Sequence, residues 1–115
     1  MDQNEFVEAI KIAVIESSKK SVESVLLNPP GRQPNIQSLQ LSNWFNSLTD
    51  HDKEMLQRVI RESVETTVFG FFCVLDGIRA IEDGREKGSL LLYYEKHGER
   101  FLLNNPKDDF LHDLL

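Results

Sequence analysis

Small and apolar residues recur at helical steps near the start of the chain: Phe6, Ile10, Ala13, Val14 and Ser17, then Val22, Val25 and Leu26. Apolar positions three and four apart form one stripe on a helix. Asp2 followed by Glu5 has the spacing of a capping box, and the pattern predicts a helix over about 3–27. Ile12 and Ile15 widen the apolar face, so contact on two sides is expected. The segment NPPGRQP, residues 28–34, ends that helix, since proline and glycine break regular structure. It reads as a stiff surface connector. Its prolines lack the PxxP spacing of a polyproline ligand.

A short helix follows over 39–48, with Leu41, Trp44, Phe45 and Leu48 on one face and Trp44 read as a core anchor, with a binding-surface aromatic as the alternative. Thr49 is a natural N-cap for the next helix, and Asp50 and Asp52 suit its positive end. From there Leu56, Ile60, Val64, Val68, Phe71 and Leu75 form a stripe, with Glu54, Arg58, Arg61, Glu62 and Glu65 outside it. Beyond Thr66 the run VFGFFCVL loads every face, which predicts burial all round, and a helix this long calls for either a bend near Gly70 or a dimer that uses its full length. The competing reading is a strand over 67–75, because β-branched and aromatic residues crowd there. The helix is preferred, over 50–76, with Gly77 as the left-handed residue that stops it and Ile78 after it.

The last third changes period. Residues 78–82, 89–95 and 99–104 read as strands, the last two around the turn Lys96-His97-Gly98. Leu90, Leu92 and Tyr94 alternate with Leu91 and Tyr93, so this sheet is apolar on both faces and needs cover on both. Asn105-Pro106 predicts the start of a final helix carrying Phe110, Leu111, Leu114 and Leu115. The expected architecture is a single α+β domain, residues 1–115. Its N-terminal helices (about 3–27, 39–48, 50–76) pack on a small antiparallel three-stranded meander (about 78–82, 89–95, 99–104), with a short C-terminal helix.

Composition narrows the function classes. Nineteen Asp and Glu against 13 Lys and Arg give a net charge of −6 over 115 residues. Phosphate binding needs clustered bases, so nucleic acid and anionic membrane are poor partners. A basic protein is a good one. The longest apolar run, Val68–Leu75, is far below the roughly 20 residues of a spanning helix. The acidic start lacks the features of a signal peptide, and a cytoplasmic location is expected. The single cysteine, Cys73, sits among apolar neighbours and reads as a buried hydrophobe.

Candidate chemistry is sparse. His51 lies between Asp50 and Asp52, His97 in the predicted turn, and His112 near Asp108 and Asp109. Each reads as surface charge; no spacing supplies three or four metal ligands, and no cofactor is expected. Leu111-His112-Asp113-Leu114-Leu115 matches the docking pattern LxxLL, yet on an amphipathic helix it reads as core. The acid excess centres on residues 49–83, with eight acids against four bases. The partner-facing candidates are therefore Glu54, Glu62, Glu65, Glu82 and Asp83. The acidic cluster Asp76, Arg79 and Glu82, at the exit from the apolar run, is the place for acid–base chemistry if the chain is an enzyme. Three classes result. The first is a small acidic non-catalytic cytoplasmic binding protein, such as an immunity-type inhibitor of a basic toxin or nuclease. The second is a structural or adaptor protein that forms homo-oligomers, a dimer in the simplest case. The third is an enzyme or small-ligand binder using the acids of residues 76–83.

Overall fold

Asp2 and Glu5 form the expected capping box: Asp2 Oδ1 accepts the Glu5 amide at 2.8 Å and Glu5 Oε2 accepts the Asp2 amide at 2.9 Å. A computed structural model describes all 115 residues. The elements in order are α1 (Gln3–Ile10), a π-helical segment (Lys11–Glu16), α2 (Ser17–Leu27), α3 (Ile36–Ser47), α4 (Asp50–Leu75), β1 (Tyr93–Lys96), β2 (Glu99–Leu102) and α5 (Leu111–Leu114). The chain is thus mixed helix and sheet. It divides into two compact units, one of Met1–Ala13 and Thr66–Leu115, the other of Val14–Glu65. No helix is long and apolar enough to cross a membrane.

The helical run over 3–27 is continuous but not uniform. A π turn takes up one residue more than an α turn. Gln3 and Val7 are buried in α1. In the π segment and α2, Ile15, Lys19 and Leu26 are buried and Val14 is exposed.

In the unit of Val14–Glu65, α2 packs on α3 across the connector, where Gly31 takes φ +89°. Ile15, Leu26 and Phe45 are its buried hydrophobic residues. Asn35 caps α3 by accepting the Gln37 amide at 2.8 Å, so this helix starts three residues before the expected 39. The face expected there is corrected too. Ser42 and Phe45 point inward, whereas Leu41 is exposed and Trp44 is 50% exposed. The inward stripe passes through 42 and 45, which turns Trp44 outward. Asn46 Nδ2 reaches both Ser42 Oγ and the Leu27 carbonyl, satisfying the end of α2.

The other unit has its core at Val7, Phe72 and Leu111, joined by Phe6, Ile10, Val68, Leu75, Leu114 and Leu115. Residues 67–75 are helical, not a strand. The helix stops as Gly77 predicts. With φ +76° at Gly77, its amide bonds the Val74 carbonyl and the Ile78 amide bonds the Cys73 carbonyl, a Schellman motif. The expectation of burial all round fails. Gly70, Phe72 and Cys73 are buried, but Phe69 is exposed and Phe71 is 60% exposed. A unit this small covers one side of the helix only. Gly70 allows a close approach, since a Cβ there would collide with the Arg79 guanidinium.

The three-stranded meander is corrected to a hairpin of two strands. Residues 78–82 form bends, because the Ile78 and Arg79 amides both turn back to the Cys73 carbonyl. Glu82 Oε2 then accepts the Gly88 amide at 2.7 Å, closing a loop where a strand was expected. β1 and β2 pair antiparallel with Lys96 opposite Glu99. His97 (φ 54°) and Gly98 (φ 78°) form the two-residue turn, both in the left-handed region that a type I′ turn needs. Strand pairing covers 93–96 and 99–102, less than the expected 89–95 and 99–104. Asn105-Pro106 opens a turn, not a helix: Asn105 Oδ1 accepts the Lys107 amide and its carbonyl accepts the Asp108 amide. The final helix, α5, begins only at Leu111.

Candidate functional site

Asp76 follows the last residue of α4, and its side chain is 1% exposed. Its carboxylate is fully engaged. Oδ1 accepts the Leu111 amide at 3.0 Å, and Oδ2 accepts the His112 amide at 2.9 Å. Oδ2 also lies 2.7 Å from His112 Nδ1. The first two bonds satisfy orphan amides at the start of α5, so Asp76 caps that helix from 35 residues away. A carboxylate only accepts, so Nδ1 carries the proton it donates. The other ring nitrogen, Nε2, lies 3.3 Å from Asp113 Oδ1. Phe110 stacks on the imidazole at 5.5 Å and Phe69 meets it edge-on at 5.5 Å.

This is a carboxylate–imidazole pair, a component of many acid–base sites. Here both ring nitrogens are aimed at carboxylates. Asp76 acts as a bracket that ties α5 to the end of α4. The anchored segment is the one that matches LxxLL. Leu111 is fully buried, and Leu114 and Leu115 pack on the core.

The residues of the acidic cluster named from the sequence each have a separate partner. Asp76 is spent on α5, the Arg79 guanidinium lies over Gly70, and Glu82 binds the Gly88 amide. The carboxylates beside His112 are Asp76 and Asp113, whereas sequence proximity suggested Asp108 and Asp109. Asp108 and Asp109 instead line an open depression with Asp2, Gln3, Asn4, Phe101 and Lys107. His51 and His97 are exposed, and no three His, Cys, Asp or Glu side chains converge as metal ligands. Cys73 is buried and unpaired.

The partner-facing acids fare differently. On the first half of α4, Glu54 and Glu62 border an open depression of about 760 Å3. Glu23 from α2 joins them, and Met55, Gln57, Arg58, Val59 and Arg61 complete its lining. Glu54 and Glu62 lie eight residues apart, so the helical repeat brings them to one side. Glu23 was not singled out, because only the packing of the helices brings it there. Val59 is 57% exposed. Glu65, Glu82 and Asp83 are exposed but line none of this depression.

One more ion pair bears on this unit. Lys19 is buried, and its ammonium donates to Glu16 Oε1 at 3.0 Å. That hydrogen bond, and then the charge of Lys19, hold the Glu16 carboxyl below the usual carboxylate range, with Arg61 and Lys20 adding to it. No protein-family model, curated protein or solved structure matches this chain.

Proposed function

We propose that the chain is a small acidic cytoplasmic binding protein with no catalytic role. It recognises a basic protein partner by surface complementarity, as an immunity-type inhibitor of a basic toxin or nuclease would. The observation that carries the reading is Val59, more than half exposed on α4 in a depression that Glu23, Glu54 and Glu62 also line. An apolar anchor ringed by charge is the usual make-up of a protein interface, with the apolar centre giving affinity and the rim giving rate and specificity. Arg58 and Arg61 leave this patch only mildly acidic, so the partner is expected to carry acids as well as bases. The engagement of Asp76, Glu82 and Arg79 in the fold supports a surface role over acid–base chemistry.

Affinity capture from the source cells tests this, with the wild type and a Glu54→Lys, Val59→Asp, Glu62→Lys variant as paired baits. A basic protein retained by the wild type, lost with the variant and released by about 0.5 M salt is the expected result. Identical captures by both baits would refute the face, and an acidic or salt-insensitive partner would refute the charge logic.

A further inference from the structure

We infer that residues 80–87 are a cleavage site for an endoprotease that cuts after arginine or lysine, and that the cut chain stays assembled. The inference is independent of the α4 face proposed above, since it concerns the connection between α4 and β1. No helix or strand lies between Leu75 and Tyr93, and every residue from Gly77 to Leu91 is exposed. Loops of this length without structure of their own are uncommon in compact proteins and usually serve a function.

The two ends of the loop are fastened. The Ile78 and Arg79 amides bond the Cys73 carbonyl, and Asn104 holds the Leu90 carbonyl at 2.8 Å and the Leu92 amide at 2.9 Å. From Ala80 to Lys87, by contrast, no backbone amide or carbonyl is bonded to the rest of the protein. The one tie across this stretch is the exposed Glu82 carboxylate on the Gly88 amide, at 2.7 Å. A protease must lay a run of residues out in its cleft, so it attacks where the backbone is both exposed and unbonded. In a helix or a strand ladder the same residues are withheld until the element opens.

The sequence supplies the specificity. Arg85 and Lys87 lie inside the unbonded stretch, between Gly84 and Gly88. The other lysines and arginines lie in helical segments or paired strands, apart from three. Arg32 stands among Pro29, Pro30 and Pro34, which hold its connector stiff. The Arg79 amide is bonded to the Cys73 carbonyl, and the Lys107 amide to Asn105 Oδ1 at 3.1 Å.

Hydrolysis adds water across the Arg85–Glu86 or Lys87–Gly88 amide, leaving a carboxylate on the basic residue and an amine on the next. The two pieces stay joined because the groups that bind them lie elsewhere. Asn104 Nδ2 donates to the Leu75 carbonyl at 2.6 Å, and the Asp76 carboxylate takes the Leu111 and His112 amides. Gln3 Nε2 donates to the Leu103 carbonyl at 2.8 Å. Leu111, on the smaller piece, shares one core with Val7 and Phe72 of the larger. The cut thus removes a covalent link and no buried contact.

Brief trypsin digestion of the native chain tests the inference, with fragments weighed by mass spectrometry and the mixture run on a native sizing column. The expected first cut follows Arg85 or Lys87. The two pieces should elute together where the uncut chain does and part only in urea. An Arg85→Gln, Lys87→Gln variant should match the wild type in circular dichroism and survive about tenfold longer, since its next sites lie in bonded structure. A first cut after Arg32 or within a helix would overturn the inference. So would pieces that part on the native column, or a double variant cut as fast as the wild type.

Discussion

Asp76 and His112 meet across 36 residues of chain, with the carboxylate Oδ2 2.7 Å from the imidazole Nδ1. The same carboxylate accepts the Leu111 and His112 amides, so three donors depend on one buried side chain. The pair clamps the C-terminal helix in place.

That role sets a stability order. Asp76→Ala strands two buried amides and an imidazole, and should destabilise the protein by about 3 kcal/mol. Asp76→Asn keeps one oxygen acceptor and should cost less. His112→Ala removes one bond and should cost least. Urea unfolding followed by circular dichroism measures all three.

Asn104 is the second bracket. Its Nδ2 donates to the Leu75 carbonyl at 2.6 Å as well as to Leu90, and its Oδ1 holds the Leu92 amide. Asn104→Ala should cost about 3 kcal/mol. Asn104→Asp sets a charge against two carbonyls and should be at least as damaging at neutral pH. It should partly recover on acidification, when a protonated carboxyl can donate once. Denaturant midpoints at two pH values separate the variants.

Much of this fold was legible because its cause is local. The Asp2–Glu5 capping box, the Thr49 cap, the Gly77 stop and the turn at His97 and Gly98 each depend on a few adjacent residues. The rest depends on contacts that no local pattern encodes. Residues 78–82 have strand-like composition, but the Cys73 carbonyl turns the chain back on itself. Ile15 is buried and Val14 exposed, though both residues are apolar. Trp44 looked like a core anchor because its type says so, while its helix is oriented by Phe45 and Ser42. At the candidate site, Glu54 and Glu62 were readable from helical spacing. The partners of Asp76 were not, being at the far end of the chain.

The hairpin turn offers a gain in stability. His97 holds φ 54°, a conformation that costs a side-chain-bearing residue about 1 kcal/mol. Asparagine tolerates this region and precedes glycine in the preferred type I′ turn. His97→Asn should raise stability by about 0.5–1 kcal/mol, seen as a higher thermal midpoint with an unchanged spectrum.

Acid should weaken the unit that holds Lys19. The Glu16 carboxyl is depressed in the folded state from its ordinary value of 4.5. A depressed carboxyl adds stability that is present above its unfolded value and disappears as pH falls through the folded one. Glu16→Gln removes that contribution. The wild type should therefore be more stable than this variant at neutral pH, with the difference shrinking below about pH 4.5 and gone at lower pH. Unfolding curves of both chains across that range check the sign.

The central claim is that exposed charge around Val59 carries recognition while the buried acids only build the fold. Titration calorimetry of the captured basic partner against the wild type and the Glu54→Lys, Glu62→Lys variant tests it most directly, at low and at high salt. The expected result is binding weakened tenfold or more by the double reversal, about 1.4 kcal/mol, and weakened by salt in the wild type. Equal affinities for both chains, unchanged by salt, would contradict the account.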